Sequence, residues 1–288
     1  MTEPLANLDG QILPLSQVKI PATDRGFLFG DAIYEVLRVY QGKPWLEEEH
    51  FQRLHSSLKA IRISGVDVDR LRERMHLTLR QSGHQEALIY MQITRGSAPR
   101  SHAFPENSKP LEFLYVQPYR DYPASMREEG ARALLQPDIR WGRCDIKSTN
   151  LLGNVLAMQA AKEAGCVEAI LYLPDGTLTE ASHSSLFGVD EKGRLWTTPN
   201  NPDILPGITR LLVLRLADKL KIPVHEHSLN RSQLSAIPEL FITGTGAEVM
   251  PIVQVDQQKI GTGKPGPVTI RLRLAYQEAV QEFLAGQP

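Results

Sequence analysis

The chain has 288 residues, 42% of them hydrophobic and 23% charged, which is enough apolar material for packed cores and unlike disordered or fibrous sequences. Its 32 lysines and arginines nearly balance 33 aspartates and glutamates, so the net charge of -1 provides no general attraction to nucleic acid or to an anionic membrane. The sequence shows no signal peptide, no run near the ~18 apolar residues of a membrane span, and only two cysteines, Cys144 and Cys166. We therefore expect a globular, cytoplasmic protein with no metal cluster and with neither nucleic acid nor membrane as a partner.

The N-terminal part of the chain mixes predicted strands and helices. Alternating apolar residues predict strands, and apolar residues three or four positions apart predict amphipathic helices. The expected elements are a strand at 33–40, helices at 48–63 and 68–81, and strands at 87–94 and 111–117. The polar segment 95–107 between the last two strands is long for a hairpin connection, and loops of that length are usually functional or mobile.

Residues 119–130 form the predicted interdomain linker, because Pro123 stands there among charged residues without a clear period. The linker divides a smaller N-terminal α/β domain, 1–118, from a larger C-terminal domain, 131–288. The second domain is expected to contain strands at 131–135, 169–173, 184–189, 239–243 and 252–255 and helices at 151–164, 208–220 and 268–284. Helices and strands mix without the regular alternation of a dinucleotide-binding domain, so the predicted class is α+β.

Some fragments match known motifs only in part. Gly261-Thr-Gly-Lys-Pro-Gly266 lacks the first glycine and the final hydroxyl residue of a phosphate-binding loop. His225-Glu-His227 offers two histidines without a third metal ligand, and an exposed strand is the better interpretation. No Gly-x-Ser-x-Gly elbow supports a serine hydrolase.

Lys147 lies in Asp145-Ile-Lys-Ser-Thr-Asn150, directly before the predicted helix at 151–164, which Thr149 or Asn150 could cap. A lysine among apolar neighbours can form a Schiff base, although the fragment alone also fits an ordinary surface lysine. Leu205-Pro-Gly-Ile-Thr209 and Thr243-Gly-Thr-Gly-Ala-Glu248 could offer backbone N–H groups to a phosphate, or be simple turns. Together with Lys147 they point to an aldehyde cofactor that carries a phosphate.

A series of motifs between Asp24 and Pro251 resembles one family. They are Asp24-Arg-Gly-Phe-Leu-Phe-Gly-Asp31, Tyr34-Glu35, Glu49-His50, Arg53-Leu54, Arg95-Gly96 with Arg100-Ser-His102, and Arg140-Trp-Gly-Arg-Cys-Asp-Ile-Lys147. In this order they resemble the class IV aminotransferases, two-domain α+β enzymes of fold type IV that use pyridoxal 5'-phosphate, and within them the D-amino acid aminotransferases. The resemblance implies transfer of the amino group of a D-amino acid, with D-alanine the expected donor, to a 2-oxo acid such as 2-oxoglutarate.

The resemblance also implies a role for each matching residue. Lys147 would hold the cofactor aldehyde and move the proton, and Glu180 would pair with the pyridine nitrogen. The remaining cofactor contacts would be Arg53 and the backbone N–H groups of Ile208, Thr209, Thr245 and Gly246 at the phosphate, Leu205 at the ring, and Arg140 near the 3'-oxygen.

Substrate choice would depend on Tyr34, Arg100 and His102, which the resemblance assigns to the substrate carboxylate. The Arg-x-His pair would come from the neighbouring subunit, so a homodimer with its active site near the interface is implied. Ala181, His183, Ser185 and Gly246 depart from the family pattern and affect the expected substrate range.

Other functions on the same fold are a branched-chain L-aminotransferase, an (R)-amine transaminase and aminodeoxychorismate lyase. The Arg-x-His pair argues against the first, and an amine without a carboxylate would not need it. A non-catalytic binding protein is a further alternative, but phosphate binding alone would need neither Lys147 nor Glu180.

Overall fold

The computed structural model describes residues 3–286, which form two compact units. The first unit extends to Arg120 and includes Ile146–Asn150, and the second contains Asp121–Asp145 and the chain from Leu151 onward. Each unit combines one sheet with helices, so the predicted α+β class is confirmed. Within the described residues, every helix falls short of the length and apolarity needed to cross a membrane.

The first unit is built on a six-stranded antiparallel sheet with the order β2-β1-β6-β5-β3-β4. Its strands are β1 (Leu5–Leu8), β2 (Gln11–Pro14), β3 (Ala32–Tyr40), β4 (Lys43–Pro44), β5 (Ala87–Thr94) and β6 (Leu111–Pro118), and its helices are α1 (Arg25–Phe29), α2 (Glu47–Ala60) and α3 (Val68–Ser82). Alternate residues of β3, such as Ile33 and Leu37, join Phe51 and Leu54 of α2 in the core. Apolar residues recur every two positions in the strand and every three or four positions in the helix. Each element therefore has one apolar face, and the two faces pack against each other.

The second unit contains a mixed nine-stranded sheet with the order β12-β11-β10-β13-β14-β7-β8-β9, and β15 pairs with β14. Its strands are β7 (Ala131–Pro137), β8 (Glu168–Tyr172), β9 (Leu178–Ala181), β10 (Ser185–Val189), β11 (Leu195–Thr197), β12 (Val224–Glu226), β13 (Glu239–Gly244), β14 (Glu248–Val255) and β15 (Gln258–Lys259). Its helices are α4 (Ala124–Glu128), α5 (Leu152–Glu163), α6 (Ile208–Lys219) and α7 (Pro267–Leu284). Strands β8, β9 and β10 are almost wholly buried, including their polar residues Glu168, Thr179, Glu180 and Ser185.

The division into units differs from the predicted boundaries at two places. The segment predicted as a linker, 119–130, includes helix α4, and from Asp121 onward it belongs to the second unit. The segment around Lys147, predicted to lie in the C-terminal domain, is grouped with the first unit because it pairs with β3: the Tyr34 N–H donates to the Lys147 carbonyl at 2.9 Å and the Thr149 N–H donates to the Ala32 carbonyl at 3.1 Å.

The predicted cap of helix α5 is wrong. The N-cap is Leu151, and no side chain among the described residues caps the helix. The side chains of Thr149 and Asn150 instead donate to the carbonyl of Gly30 in the first unit. These two polar side chains therefore stabilise the segment beside β3 rather than the helix start.

Candidate active site

Lys147 lies on an extended segment beside the start of β3, where Ser148 forms a β-bridge with Ile33. The backbone N–H of Lys147 donates to Ser57 Oγ of α2 at 3.3 Å. Its Nζ lies 4.2 Å from the centroid of the Tyr34 ring, within the range of a cation–π contact. The first unit therefore brings the predicted lysine and one predicted substrate residue together.

Arg53 is fixed by a buried carboxylate that the sequence analysis did not assign a role. Its Nε and Nη2 donate to the two oxygens of Glu35, each at 2.8 Å, and His50 Nδ1 lies 2.7 Å from Glu35 Oε2. Burial alone would raise the pKa of the Glu35 carboxyl, but the Arg53 guanidinium and the His50 ring lower it to about 2. Glu35 is thus a permanent anion that orients the Arg53 fork, while burial lowers the pKa of His50 and favours its neutral ring.

Arg100 and His102 meet on a single aromatic ring, that of Phe29 in α1. The Arg100 Cζ lies 5.2 Å from the Phe29 centroid, and the His102 ring centroid lies 5.6 Å from it. Both side chains belong to exposed residues. Among the described residues Tyr34 makes no hydrogen bond or ring contact with either of them, so the structure brings together two of the three predicted carboxylate-binding residues.

Glu180 lies on β9 in the second unit and is almost fully buried. Arg140 Nη1 donates to its Oε1 at 2.5 Å, and the Leu205 N–H donates to the same oxygen at 3.1 Å. The Arg140 guanidinium also forms a fork with both oxygens of Asp138, at 2.9 and 2.7 Å. Burial raises the pKa of the Glu180 carboxyl to about 7, and Arg140 and the Leu205 N–H only partly oppose this effect.

The second oxygen of Glu180, Oε2, accepts no hydrogen bond from any residue that the structure describes. Oε2 is not among the fully buried unpaired polar atoms of the described residues, so this oxygen is open to a further donor although most of the side chain is buried. A protonated pyridine nitrogen is such a donor, and its positive charge would offset the burial of the anion. The side chain therefore fits the partner that the sequence resemblance assigns to it.

The predicted phosphate-binding residues lie around the start of α6 and the end of β13. Helix α6 begins after Gly207, and no described side chain caps it, which leaves the N–H groups of Ile208 and Thr209 at the positive end of the helix. Ser185 of β10 lies beside both segments, since it pairs with Thr243 in the sheet and its Oγ would be 2.5 Å from a Cβ at Gly207. The two glycine segments are therefore neighbours.

This part of the second unit fits a phosphate group. The hydroxyl of Thr243 is buried without a hydrogen-bond partner among the described residues, directly before Gly244, Thr245 and Gly246. Free helical N–H groups, a positive helix end and small residues are the features that bind phosphate in proteins. Thr245 and Gly246 themselves are half-buried.

One departure from the family pattern after Glu180, His183, lies beside another buried carboxylate, Glu168 of β8. The hydroxyls of Ser182 and Ser184 donate to it, and His183 Nδ1 lies 2.7 Å from its Oε2. Burial would raise the pKa of Glu168, but His183 and the hydroxyl donors hold it below its usual value. A lone charged residue in the otherwise apolar strand Glu168–Tyr172 was the sequence signal that could have located this cluster.

Comparisons with known proteins identify the family of the chain. Residues 32–255 match the family described as Amino-transferase class IV. The chain is 37% identical over 276 residues to a D-alanine aminotransferase of Staphylococcus haemolyticus, covering 95% of this chain and 97% of that protein. It is 36% identical over 280 residues to a D-alanine aminotransferase of Bacillus licheniformis, covering 94% and 95%.

Solved structures show the same fold. The branched-chain amino acid aminotransferase of Escherichia coli superposes with a TM-score of 0.90 at 28% identity, covering 96% of this chain and 94% of that chain. A T.th. branched-chain amino acid aminotransferase, solved with pyridoxamine 5'-phosphate, also has a TM-score of 0.90, at 27% identity, covering 97% and 95%. The chain belongs to the class IV aminotransferases, pyridoxal 5'-phosphate enzymes that exchange amino groups between amino acids and 2-oxo acids.

Proposed function

We propose that the protein transfers the amino group of a D-amino acid, with D-alanine the expected donor, to a 2-oxo acid such as 2-oxoglutarate. The observation that carries this proposal is the convergence of Arg100 and His102 on Phe29, which brings a cation and an imidazole ring to the same aromatic side chain. Such a pair suits a carboxylate. The D-alanine aminotransferases that are 36–37% identical to the chain support this choice of donor.

When bound, pyridoxal 5'-phosphate supplies an aldehyde that captures amines and a ring that withdraws electrons from the substrate α-carbon. Lys147 Nζ is proposed to hold that aldehyde and then to move the proton at the α-carbon, and the Tyr34 ring keeps the amine in place. Glu180 would hold a proton on the ring nitrogen through its open Oε2.

The resemblance assigns the other proposed cofactor contacts. Arg53, aligned by Glu35, is proposed to bind the phosphate. In the second unit, the N–H groups of Ile208, Thr209, Thr245 and Gly246 are proposed as phosphate-binding groups. Leu205 would pack on the ring. Arg140 was predicted near the 3'-oxygen and this stays a prediction, while its contacts with Asp138 and Glu180 favour a role in fixing the Glu180 carboxylate.

A homodimer is part of the proposal, since the resemblance assigns Arg100 and His102 to the active site of a neighbouring subunit. An exposed apolar stripe on α5 supports it: Leu152, Val155 and Leu156 are 72%, 57% and 53% exposed and lie on one helix face. Sedimentation should give a dimer, and a monomer that is fully active would contradict this part. A cytoplasmic location also remains proposed, in keeping with free thiols at Cys144 and Cys166.

The test of the function is the visible absorbance of the purified protein loaded with pyridoxal 5'-phosphate. We expect D-alanine to bleach the band of the lysine-bound cofactor, L-alanine to leave it unchanged, and 2-oxoglutarate to restore it. Lys147→Ala should abolish both the band and turnover, because no other amine then holds the aldehyde. Bleaching by L-alanine but not by D-alanine would contradict the proposed stereochemistry.

The second candidate is a branched-chain L-aminotransferase, favoured by the TM-scores of 0.90 to such enzymes. L-leucine and L-valine should then bleach the band and D-alanine should not. If no amino acid bleaches it, release of pyruvate from aminodeoxychorismate without an acceptor would indicate the lyase, and bleaching by an (R)-amine would indicate the amine transaminase.

A further inference from the structure

We propose that Arg25, held in place by Asp31, is the positioning residue of the loop that carries Arg100 and His102, and so sets the affinity and stereochemical preference for the substrate carboxylate. The inference rests on the proposed function, because it takes that loop as the carboxylate-binding element. It assigns a task to a buried arginine and a partly buried aspartate that lie outside the predicted site.

Arg25 contacts the backbone of the loop directly. Its guanidinium is buried, and Nη1 donates to the carbonyls of Ser101 at 2.6 Å and Ala103 at 3.4 Å, while Nη2 donates to the carbonyl of His102 at 3.3 Å. One side chain therefore holds three consecutive carbonyls in the part of the loop where the predicted substrate residues lie. The donors are charged, which makes such hydrogen bonds stronger than those between neutral groups.

Asp31 fixes the position of Arg25. Its Oδ2 accepts from Arg25 Nε at 2.8 Å and from Arg95 Nε at 2.8 Å, and its Oδ1 accepts from Arg95 Nη2 at 2.9 Å. Burial would raise the pKa of this carboxyl, but Arg95 and Arg25 lower it, so Asp31 stays charged. One carboxylate therefore aligns two buried guanidinium groups.

Arg95 connects this group to the framework of the first unit. Its guanidinium donates to the carbonyls of Ile61 at 2.6 Å and Arg62 at 2.9 Å, directly after helix α2. It also lies 3.6 Å from the centroid of the Phe104 ring, two residues beyond His102. The loop is therefore fastened through Arg25 and Arg95 to the sheet-and-helix core.

The side chains of the loop are aligned by the same group. Arg25 Cζ lies 4.8 Å from the centroid of Phe29, the ring that Arg100 and His102 also contact. Without the guanidinium, both the loop backbone and this ring lose a neighbour. Exposed side chains on a free loop must be ordered when substrate binds, and that ordering weakens binding. Arg25 orders the loop before substrate binds and so removes most of this loss of entropy from the binding step.

The test is Arg25→Lys, which keeps the charge but cannot reach three carbonyls and Asp31 together. We expect the KM for D-alanine to rise about tenfold, kcat to change less than about threefold, and the preference for D- over L-alanine to fall. Cleavage by trypsin after Arg100 should become faster while the circular dichroism spectrum of the variant stays unchanged. Unchanged cleavage of that loop, or an unchanged KM in the folded variant, would overturn the proposal.

Arg38→Lys is the matched control. Arg38 is also a buried arginine of the first unit that donates to backbone carbonyls, those of Val39 and Ala87, and pairs with Glu86, but it contacts no residue of the loop. We expect it to lower stability without changing the KM or the isomer preference. An equal rise in KM in this control would show that general destabilisation explains the result.

If Arg25→Lys does not fold, Asp31→Asn is the alternative test. It removes the charge that aligns Arg25 and leaves the side-chain volume intact. It should give the same change in KM and in tryptic cleavage, to a smaller degree. Arg100→Ala separates the two proposals. If Arg100→Ala uses D-alanine as well as the wild type does, the carboxylate-binding role of the loop fails. If the wild type does not use D-alanine, the proposed function fails, whereas slow tryptic cleavage after Arg100 that depends on Arg25 would still support its anchoring role.

Discussion

The two carboxylates Glu35 and Glu180 are both buried, yet they differ in charge behaviour. Glu35 has partners on both oxygens, and Arg53 and His50 outweigh burial to lower its pKa to about 2. Glu180 has both donors on one oxygen, and burial dominates to give a pKa of about 7. Glu35 therefore behaves as a structural anion, while Glu180 needs a further cationic donor to stay ionised. This difference marks Glu180 as the carboxylate suited to a cationic ligand.

Glu180→Gln tests that difference. The amide keeps the shape of the side chain but loses the negative charge that would hold a proton on the ring nitrogen. We expect kcat per cofactor-loaded molecule to fall by about 10²–10⁴-fold, in the range of a lost proton-holding group. Stopped-flow absorbance with D-alanine measures the effect on a single half-reaction.

The control for this variant is Glu239→Gln, another buried glutamate of the second unit. Glu239 accepts from the N–H groups of Val268 and Thr269 at the start of α7, and its printed hydrogen bonds involve none of the predicted site residues. Its substitution should lower stability and leave kcat per loaded molecule unchanged. A Glu180→Gln enzyme with normal kcat would refute the assignment.

At the scale of elements, the start of α6 shows why glycine precedes the helix. Gly207 has an ordinary φ of -65°, so its backbone does not require glycine. Its lack of a side chain matters instead, because a Cβ would lie 2.5 Å from Ser185 Oγ and 3.2 Å from Arg210 Cβ. The space beside the free N–H groups is kept open by this residue.

Gly207→Ala should therefore weaken the binding of pyridoxal 5'-phosphate by about three- to tenfold, a cost of about 1 kcal/mol from displacing the Ser185 hydroxyl. Equilibrium dialysis of the cofactor measures it. Gly142→Ala is the control, since a Cβ there meets nothing within 4 Å. Equal affinities of the two variants would show that the volume at Gly207 is not needed.

Sequence patterns predicted the longer elements well, because these have a period that can be detected. The strand at 33–40 and the helix at 68–81 are observed as Ala32–Tyr40 and Val68–Ser82. Strand β9, which carries Glu180, was missed because its four residues are all buried and show no alternation.

The contacts of the predicted site residues, like strand β9, leave no periodic signal in the sequence. The motifs located Lys147, Arg53 and Glu180 through a family resemblance. Their partners could not be found in this way, because the Arg140–Glu180 and Arg53–Glu35 pairs join residues 40 and 18 positions apart. Asp31 was quoted in a motif, but its task depends on Arg95, 64 positions away. Pairing at such separations is decided by the sheet, which local patterns do not specify.

At the scale of the whole molecule, buried and partly buried carboxylates divide the pH dependence of stability into two ranges. Glu35, Asp31, Asp138 and Glu168 have lowered pKa values, so their stabilisation is present above their unfolded pKa and is lost on acidification below it. Glu180 has the opposite sign. Its folded pKa is raised from 4.5 to about 7, so the folded state binds the extra proton, and the stability that this proton provides is lost as the pH rises through that interval.

In the cofactor-free protein, the raised pKa of Glu180 should therefore lower the free energy of unfolding near neutral pH relative to its value at acidic pH. A raised pKa of this size corresponds to about 3 kcal/mol in the free energy of unfolding. We expect the stability of the wild type relative to Glu180→Gln to fall by roughly this amount between about pH 5 and pH 8, as measured by urea unfolding. Titration of His50, whose pKa is lowered by burial, occurs in both proteins and cancels in the difference.

Cofactor loading should remove the slope, since a protonated ring nitrogen keeps Glu180 ionised throughout. A difference that stays constant with pH in the cofactor-free protein would show that Arg140 alone keeps the carboxylate charged, and that Glu180 is paired before any ligand binds.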